Sequence, residues 1–213
     1  MLALEDSRLD LLARRLRGLA ASRPGFALAL CGEAGIGKSY SARALLQGCS
    51  SASFSTPATR PLASVLSALP RPKRYPAPLE GTLERLKRGE TLEPKVVLEV
   101  LCTLLAALAP FVLYFEDLHE ALPEQLEALS RLAERVSFLK GVALLSSSRI
   151  LPPAPWETLP LERLSPIQSR ELLEAEIFTS LPPDALEWIY IKAAGNPLYT
   201  LEFFRSLSRA GNA

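Results

Sequence analysis

A chain of 213 residues, 48% hydrophobic and 22% charged, has enough apolar material for a real core and suits one larger domain, or one domain with a small appendage. Its formal net charge of +1 creates no global field toward nucleic acid or an acidic membrane. Three cysteines (Cys31, Cys49, Cys102) are far apart and odd in number, with His119 the only histidine; this excludes a disulfide frame and a zinc site and fits reduced thiols in a cytosolic protein.

The opening "MLALEDSRLDLLARRL" carries acidic residues early and is no secretory leader. Leu9, Leu12, Leu16 and Leu19 recur at helical spacing and predict a helix within 4–21, broken by Ser22-Arg23-Pro24-Gly25. "FALALC" (26–31) is a continuous apolar run, as for a strand buried on both faces. Lys38 to Gln47 reads as a helix closed by Gly48, with a short strand near 51–55 and a helix over 62–69. "PRPKRYPAP" (70–78) reads as a proline-rich loop, followed by an amphipathic piece near 80–88.

The segment Val96 to Phe115 mimics a membrane span, but Glu99 and Pro110 interrupt it. It reads as a helix over 95–109 and then a buried strand, "FVLYFED". Leu122, Leu126, Leu129, Leu132 and Val136 mark a further helix, "VALLSSSR" (142–149) another buried strand, and "ETLPLERL" one more. This alternation predicts an α/β fold of three layers, α/β/α, with a mainly parallel sheet of about five strands. From Ser165 the character changes. Ser165, Pro166 and Gln168 form a helix-start signature, and helices near 184–194 and 197–210 follow, separated by Gly195-Asn196-Pro197. The expected division is an α/β domain over 1–163 and a small helical lid over 164–213.

Three stretches carry chemistry. Gly32-Glu33-Ala34-Gly35-Ile36-Gly37-Lys38-Ser39, followed by Tyr40, satisfies G-x-x-x-x-G-K-[ST] between a buried strand and a helix. Its glycines let backbone N–H groups converge on phosphate, the helix start adds its positive end, Lys38 reaches the β- and γ-phosphates, and the Ser39 hydroxyl suits Mg²⁺. Glu116 and Asp117 close the next buried strand, at the sheet edge where α/β proteins bind ligands; one carboxylate would hold Mg²⁺ and the other orient a water. Ser147, Ser148 and Arg149 leave the following strand at the same rim, and Arg149 is the one suited to sensing a γ-phosphate. His119 is expected to pack or bond near that rim. Arg71, Lys73 and Arg74 read as a solvated loop, Trp156 and Trp188 as core or lid anchors, and Cys31 as a small buried strand residue.

In order, "GEAGIGKS", "LYFEDLHEA", "LLSSSR", "LERLSPIQSRELL" and "AAGNPLYTLEFF" resemble the nucleotide-binding domain of STAND-class signal-transduction ATPases. They are most similar to the ATPase domains of MalT-like or LuxR-type bacterial regulators, themselves similar to AAA+ and ORC-like modules. The resemblance spans about Arg8 to Arg205. It implies that Lys38 and Ser39 bind phosphate and Mg²⁺, that Glu116 and Asp117 are the Walker B acids, that Arg149 is the sensor and that Pro197 faces the adenine of ATP or ADP. It implies a nucleotide-controlled change of lid position or self-association, with a protein partner or further domains. Membrane attachment and direct nucleic-acid binding are not indicated. Glu116 replaces the first of two aspartates common in relatives, Glu120-Ala121-Leu122 stands where Trp-Ala-Asp is usual, and "DSRL" replaces an N-terminal Gly-Arg. Nucleotide binding survives these departures more readily than hydrolysis. The rival expectations are a non-catalytic interaction module and a loader or remodelling ATPase acting on DNA or protein.

Overall fold

The computed structural model describes residues 7–20, 23–72, 77–177 and 181–210. Helix α1 (Ser7–Arg17) leads to strand β1 (Phe26–Cys31), α2 (Lys38–Gln47), β2 (Ala52–Pro57), α3 (Leu62–Ala68), α4 (Ala77–Lys87) and α5 (Pro94–Leu108). Strand β3 (Phe111–Glu116), a 3-10 turn (Leu118–Glu120), α6 (Pro123–Val136), β4 (Val142–Ser148) and β5 (Glu157–Pro160) complete the sheet portion. Helices α7 (Pro166–Ile177), α8 (Pro183–Ala193) and α9 (Pro197–Ala210) follow and pack on one another.

The five strands form one parallel sheet in the order β2-β3-β4-β1-β5. The six continuous apolar positions of β1 split by strand period. Ala27, Ala29 and Cys31 enter the core shared with α3–α6, whereas Phe26, Leu28 and Leu30 enter the core under α1 and α2. Strand β3 divides the same way, with Phe111, Leu113 and Phe115 on one face and Val112 and Tyr114 on the other. Burial on both faces explains why these strands read as unbroken hydrophobic runs. It also makes the fold three-layered, as expected.

The apolar segment that resembled a membrane span is α5 followed by β3; α5 buries Val97, Leu98, Leu101, Cys102, Leu104 and Leu105 against the sheet and its neighbours. Among the described residues, no helix is long and apolar enough to cross a membrane. The piece expected near 80–88 is α4, which starts within the expected loop of 70–78. Lys73 and Arg74 of the basic cluster, and the first residues of the expected helix at 4–21, lie outside the described residues. The Ser165 signature forms its reciprocal box: Gln168 N–H donates to Ser165 Oγ at 3.2 Å, and Ser165 N–H donates to Gln168 Oε1 at 2.9 Å. Trp156 is buried, and Trp188 meets the Phe203 ring edge-on at 5.8 Å between α8 and α9.

Gly25 marks the tightest crossing of the framework. Its N–H donates to Leu139 O at 2.6 Å, and a Cβ there would run into the carbonyl oxygens of Val136 and Val142, where α6 ends and β4 begins. These are backbone atoms that cannot swing aside. Gly25→Ala is therefore expected to destabilise the chain by about 2 kcal/mol or more, a fall of roughly 4–8 °C in melting temperature for a chain of this size, measured by calorimetry.

Candidate functional site

The site begins where β1 runs out. Gly32 N–H donates to Ser148 O at 3.1 Å, tying the start of the glycine loop to the end of β4. The loop closes on Gly37, which caps α2 in a left-handed conformation with no side-chain hydrogen bond. With no capping oxygen, the first-turn N–H groups of α2 remain available to an anion. Lys38 is only 7% exposed, and its Nζ donates to Gly32 O and Glu33 O, both at 2.7 Å. Burial lowers its pKa; the Asp117 charge opposes this and Arg149 adds to it. Asp117 and Arg149, 79 and 111 positions from Lys38 in sequence, thus both act on it.

Strand β3 delivers Glu116 to an exposed position and Asp117 to a half-buried one. Asp117 is left-handed, with φ 51° and ψ 56°, a conformation that Asp tolerates better than most side chains. Its N–H donates to Ser147 Oγ at 3.0 Å, and Ser146 Oγ donates to Phe115 O at 2.9 Å. Two β4 serines therefore hold the end of β3. Arg149 is exposed at the β4 exit, and its N–H donates to His119 Nδ1 at 3.3 Å. The bond requires Nδ1 as acceptor, so a neutral ring carries its proton on Nε2, which is buried without a partner. His119 accordingly bonds at the rim. Tyr114, on β3 beneath α2, also buries its hydroxyl without a hydrogen bond of good geometry.

The helices α7–α9 reach this site directly. Asn196, 2% exposed, donates from Nδ2 to Glu33 Oε1 at 3.0 Å and to Ala34 O at 2.9 Å. Its Oδ1 accepts from Leu198 N–H at 3.1 Å, which caps α9. Leu198 N–H also reaches Gly35 O at 3.2 Å. Arg163 donates from one guanidinium nitrogen to Glu33 Oε2 at 2.8 Å and from the other to Ala194 O at 3.2 Å. Arg163 and then Asn196 hold the Glu33 carboxyl below its ordinary pKa. Gly35 has φ +79°, and a Cβ there would lie 2.7 Å from Asn196 Oδ1 and 2.8 Å from Leu198 Cβ. Ile36 is buried, Ser39 and Tyr40 are exposed, and Pro197, half-buried, opens α9 beside the loop.

Sequence reading took Asn196 as a cap and passed over Arg163, because a cap box and a lone arginine carry no sign of a partner so distant in sequence. Ser146 and Tyr114 were also not singled out. Tyr114 carries one signal: a hydroxyl inside an otherwise hydrocarbon strand.

Among the described residues, no group of three or more His, Cys, Asp or Glu side chains could hold a metal by itself. The oxygen donors are the Ser39 hydroxyl in the first turn of α2 and the Glu116 and Asp117 carboxylates at the end of β3. This oxygen-only, incomplete set fits magnesium, which keeps several waters and binds through one or two carboxylates plus phosphate. Grooves of about 580 Å³ between α5 and α6 and about 260 Å³ between α3, α5 and α6 lie apart from these residues. They have neither the loop nor the strand-end acids, so chemistry rather than volume identifies the site.

Three solved structures share the fold. A Signal Transduction ATPase with Numerous Domains (STAND) protein with a tetratricopeptide repeat sensor, from Pyrococcus horikoshii, aligns over 90% of this chain and 28% of its own, at 18% identity and TM-score 0.59. Cdc6p from Pyrobaculum aerophilum aligns over 100% of this chain and 63% of its own, at 17% identity and TM-score 0.64. The Drosophila ORC, solved bound to DNA, aligns over 100% of this chain and 58% of its own, at 12% identity and TM-score 0.69. The chain thus spans less than two thirds of the length of each. No curated protein matches it. The family described as AAA ATPase domain matches residues 5–145, a stretch that holds the glycine loop, Glu116 and Asp117 and most of β4. By that match, and by a sheet whose strand ends carry the loop and the acids together, the chain belongs to the AAA ATPase domain family.

Proposed function

We propose that the chain binds ATP and ADP with magnesium at the glycine loop and serves as a nucleotide-controlled switch in signal transduction or transcriptional regulation, reset by slow hydrolysis. In this reading residues 1–163 are the nucleotide-binding domain and 164–213 the lid. The observation that supports it is the shared use of Glu33. Its carbonyl accepts the Lys38 ammonium, while its carboxylate accepts Asn196 and Arg163. Lys38 Nζ spends two of its three donors on the Gly32 and Glu33 carbonyls, leaving the third for phosphate oxygens, and a phosphate that draws the ammonium further loosens its hold on them. The second of those residues is the one that anchors the lid. Phosphate occupancy and lid position are then coupled through one residue, and nucleotide biases the lid by its differential contacts with the two positions.

In the same reading the other residues take the following roles. Backbone N–H groups of Gly35, Ile36 and Gly37 and the α2 start receive phosphate. Ser39, with Glu116 and Asp117, would hold magnesium, which when bound supplies positive charge against the β- and γ-phosphate oxygens. Asp117 or Glu116 orients the attacking water, Arg149 senses the γ-phosphate from the β4 exit, and Pro197 faces the adenine. A protein partner, further domains or nucleotide-dependent self-association would read the lid.

Saturating Mg-ATP or Mg-ADP, at about 100 times Kd, is expected to stabilise the wild type by about 2.7 kcal/mol, or roughly 5–11 °C. Lys38→Ala should abolish that shift in differential scanning fluorimetry; a wild type that no nucleotide stabilises refutes the reading. Glu116→Gln and Asp117→Asn should keep nucleotide binding while at least one lowers multiple-turnover phosphate release by about a hundredfold. A wild-type rate at baseline, unchanged by either substitution, would leave a switch without hydrolysis.

The lid contact has its own test. Asn196→Ala removes a buried amide and two cap bonds, so the Leu198 and Tyr199 amides should exchange about tenfold faster in hydrogen-exchange measurements. Because the Glu33 pKa is depressed, its contribution is complete above the ordinary value of 4.5 and is lost as pH falls through the lowered folded value. Glu33→Gln should remove this part of the acid dependence of lid protection. The unaltered dependence in that variant would show that another group controls it.

A further inference from the structure

Tyr114 puts a polar group where hydrocarbon would serve. It belongs to the core cluster that holds Ala42 and Leu45 of α2 and Val112 of its own strand, and the residue is 3% exposed. Buried tyrosine hydroxyls normally find a partner, yet this one makes no hydrogen bond of good geometry. It is not isolated from polar groups. Tyr114 pairs with Leu145 in the β3–β4 register, Ser147 lies on the same strand face as Leu145, and Ser39 stands about one helical turn before Ala42 on α2. Burial pushes the Tyr114 pKa up, and the Ser147 and Ser39 hydroxyls act against that rise. Ser147 Oγ already accepts Asp117 N–H at 3.0 Å. Ser39 follows Lys38 in the first turn of α2. The Tyr114 and Ser147 hydroxyls therefore lie between the two halves of the magnesium donor set, Ser39 on one side and Asp117 on the other.

We propose that Tyr114 is a positioning residue for the magnesium–nucleotide site, its hydroxyl linking Ser39 to Ser147 and, through Ser147, to Asp117. The inference rests on the nucleotide reading above and identifies the buried group that prepares its metal side. The hydrogen-bond directions are set by what each oxygen has left. Ser147 Oγ takes the Asp117 N–H on one lone pair, so its second can accept the Tyr114 O–H. The phenol oxygen is then free to accept the Ser39 O–H, which turns the Ser39 lone pairs toward the mouth of the loop. A serine engaged through a lone pair by a cation is a stronger donor, so the Ser39-to-Tyr114 bond tightens when the site is filled. The hydroxyl that lacks a partner is satisfied by the conformation that binding selects.

The test is calorimetric titration of the full chain with ADP, in EDTA and in excess magnesium, for wild type, Tyr114→Phe, Ser39→Ala and the double variant, with thermal unfolding of each without nucleotide. Tyr114→Phe should keep its EDTA affinity within about twofold and lose about threefold to tenfold of the magnesium-dependent gain. It should unfold at or above the wild-type temperature, since the change removes only an unpartnered buried hydroxyl. Ser39→Ala should lose the gain, and adding Tyr114→Phe should change it no further. A magnesium gain in Tyr114→Phe equal to wild type overturns the assignment. So does an equal loss in EDTA and magnesium accompanied by a lower melting temperature, which would mark Tyr114 as structural. In both outcomes the wild type still binds ADP and the nucleotide reading stands; a wild type that binds no ADP in either condition instead removes that reading and this inference together.

Discussion

Strand β4 separates β1 from β3, and the chemistry of the sheet edge depends on how that gap is filled. Adjacent strands lie about 4.8 Å apart, so the ends of β1 and β3 stand roughly 10 Å from each other. The glycine loop leaves from one and the acids from the other. Strand β4 fills the space with three buried serines, Ser146, Ser147 and Ser148. A hydroxyl in a sheet interior is costly unless paired. Ser146 and Ser147 pair with the end of β3, and Ser148 Oγ accepts from Ile150 N–H at 3.3 Å as its own strand exits. Gly32 N–H completes the set on the Ser148 carbonyl. The groups that would otherwise penalise burial thus fix the loop, Asp117 and the Arg149 turn in one frame.

Against that rigid frame, the contact with α7–α9 mixes strong and weak elements. Asn196 is buried and spends both halves of its amide, two donated bonds to the glycine loop and two accepted bonds at the α9 start. Its loss leaves buried groups unpaired, which costs the full desolvation of each. The Arg163–Glu33 pair is different. Both side chains are about half exposed, at 53% and 40%, so solvent and salt screen it. The arrangement suits helices that stay docked by packing and amide bonds while charge trims their position. Gly35 carries the close approach, because any side chain there would meet Asn196 and Leu198.

Much of the framework was legible in the primary structure because its signals are local. Burial on both faces leaves an unbroken apolar run such as "FALALC", a cap box leaves Ser165 and Gln168 three residues apart, and a phosphate loop needs its glycines, lysine and serine within eight positions. The strand of 51–55 and the helix hidden in a proline-rich stretch were less distinct, since β2 lies at the sheet edge and shows mostly exposed side chains. The acids and Arg149 were recognisable as strand-end groups. That Asp117 and Arg149 act on Lys38 followed only from the tertiary structure.

Composition, periodicity and local motif by themselves determined a three-layer α/β sheet domain followed by helices, a phosphate-type loop and the identity of its candidate partners. Tertiary structure alone decided the cross-connections. Asn196 meets Glu33 across 163 positions of sequence, Asp117 meets Ser147 across 30, and Tyr114 of β3 shares a core with Ala42 and Leu45 of α2. The physical reason is range. A helix or strand is specified by neighbours within a few residues, whereas a hydrogen bond between distant segments depends on strand order and layer packing, which no local pattern encodes.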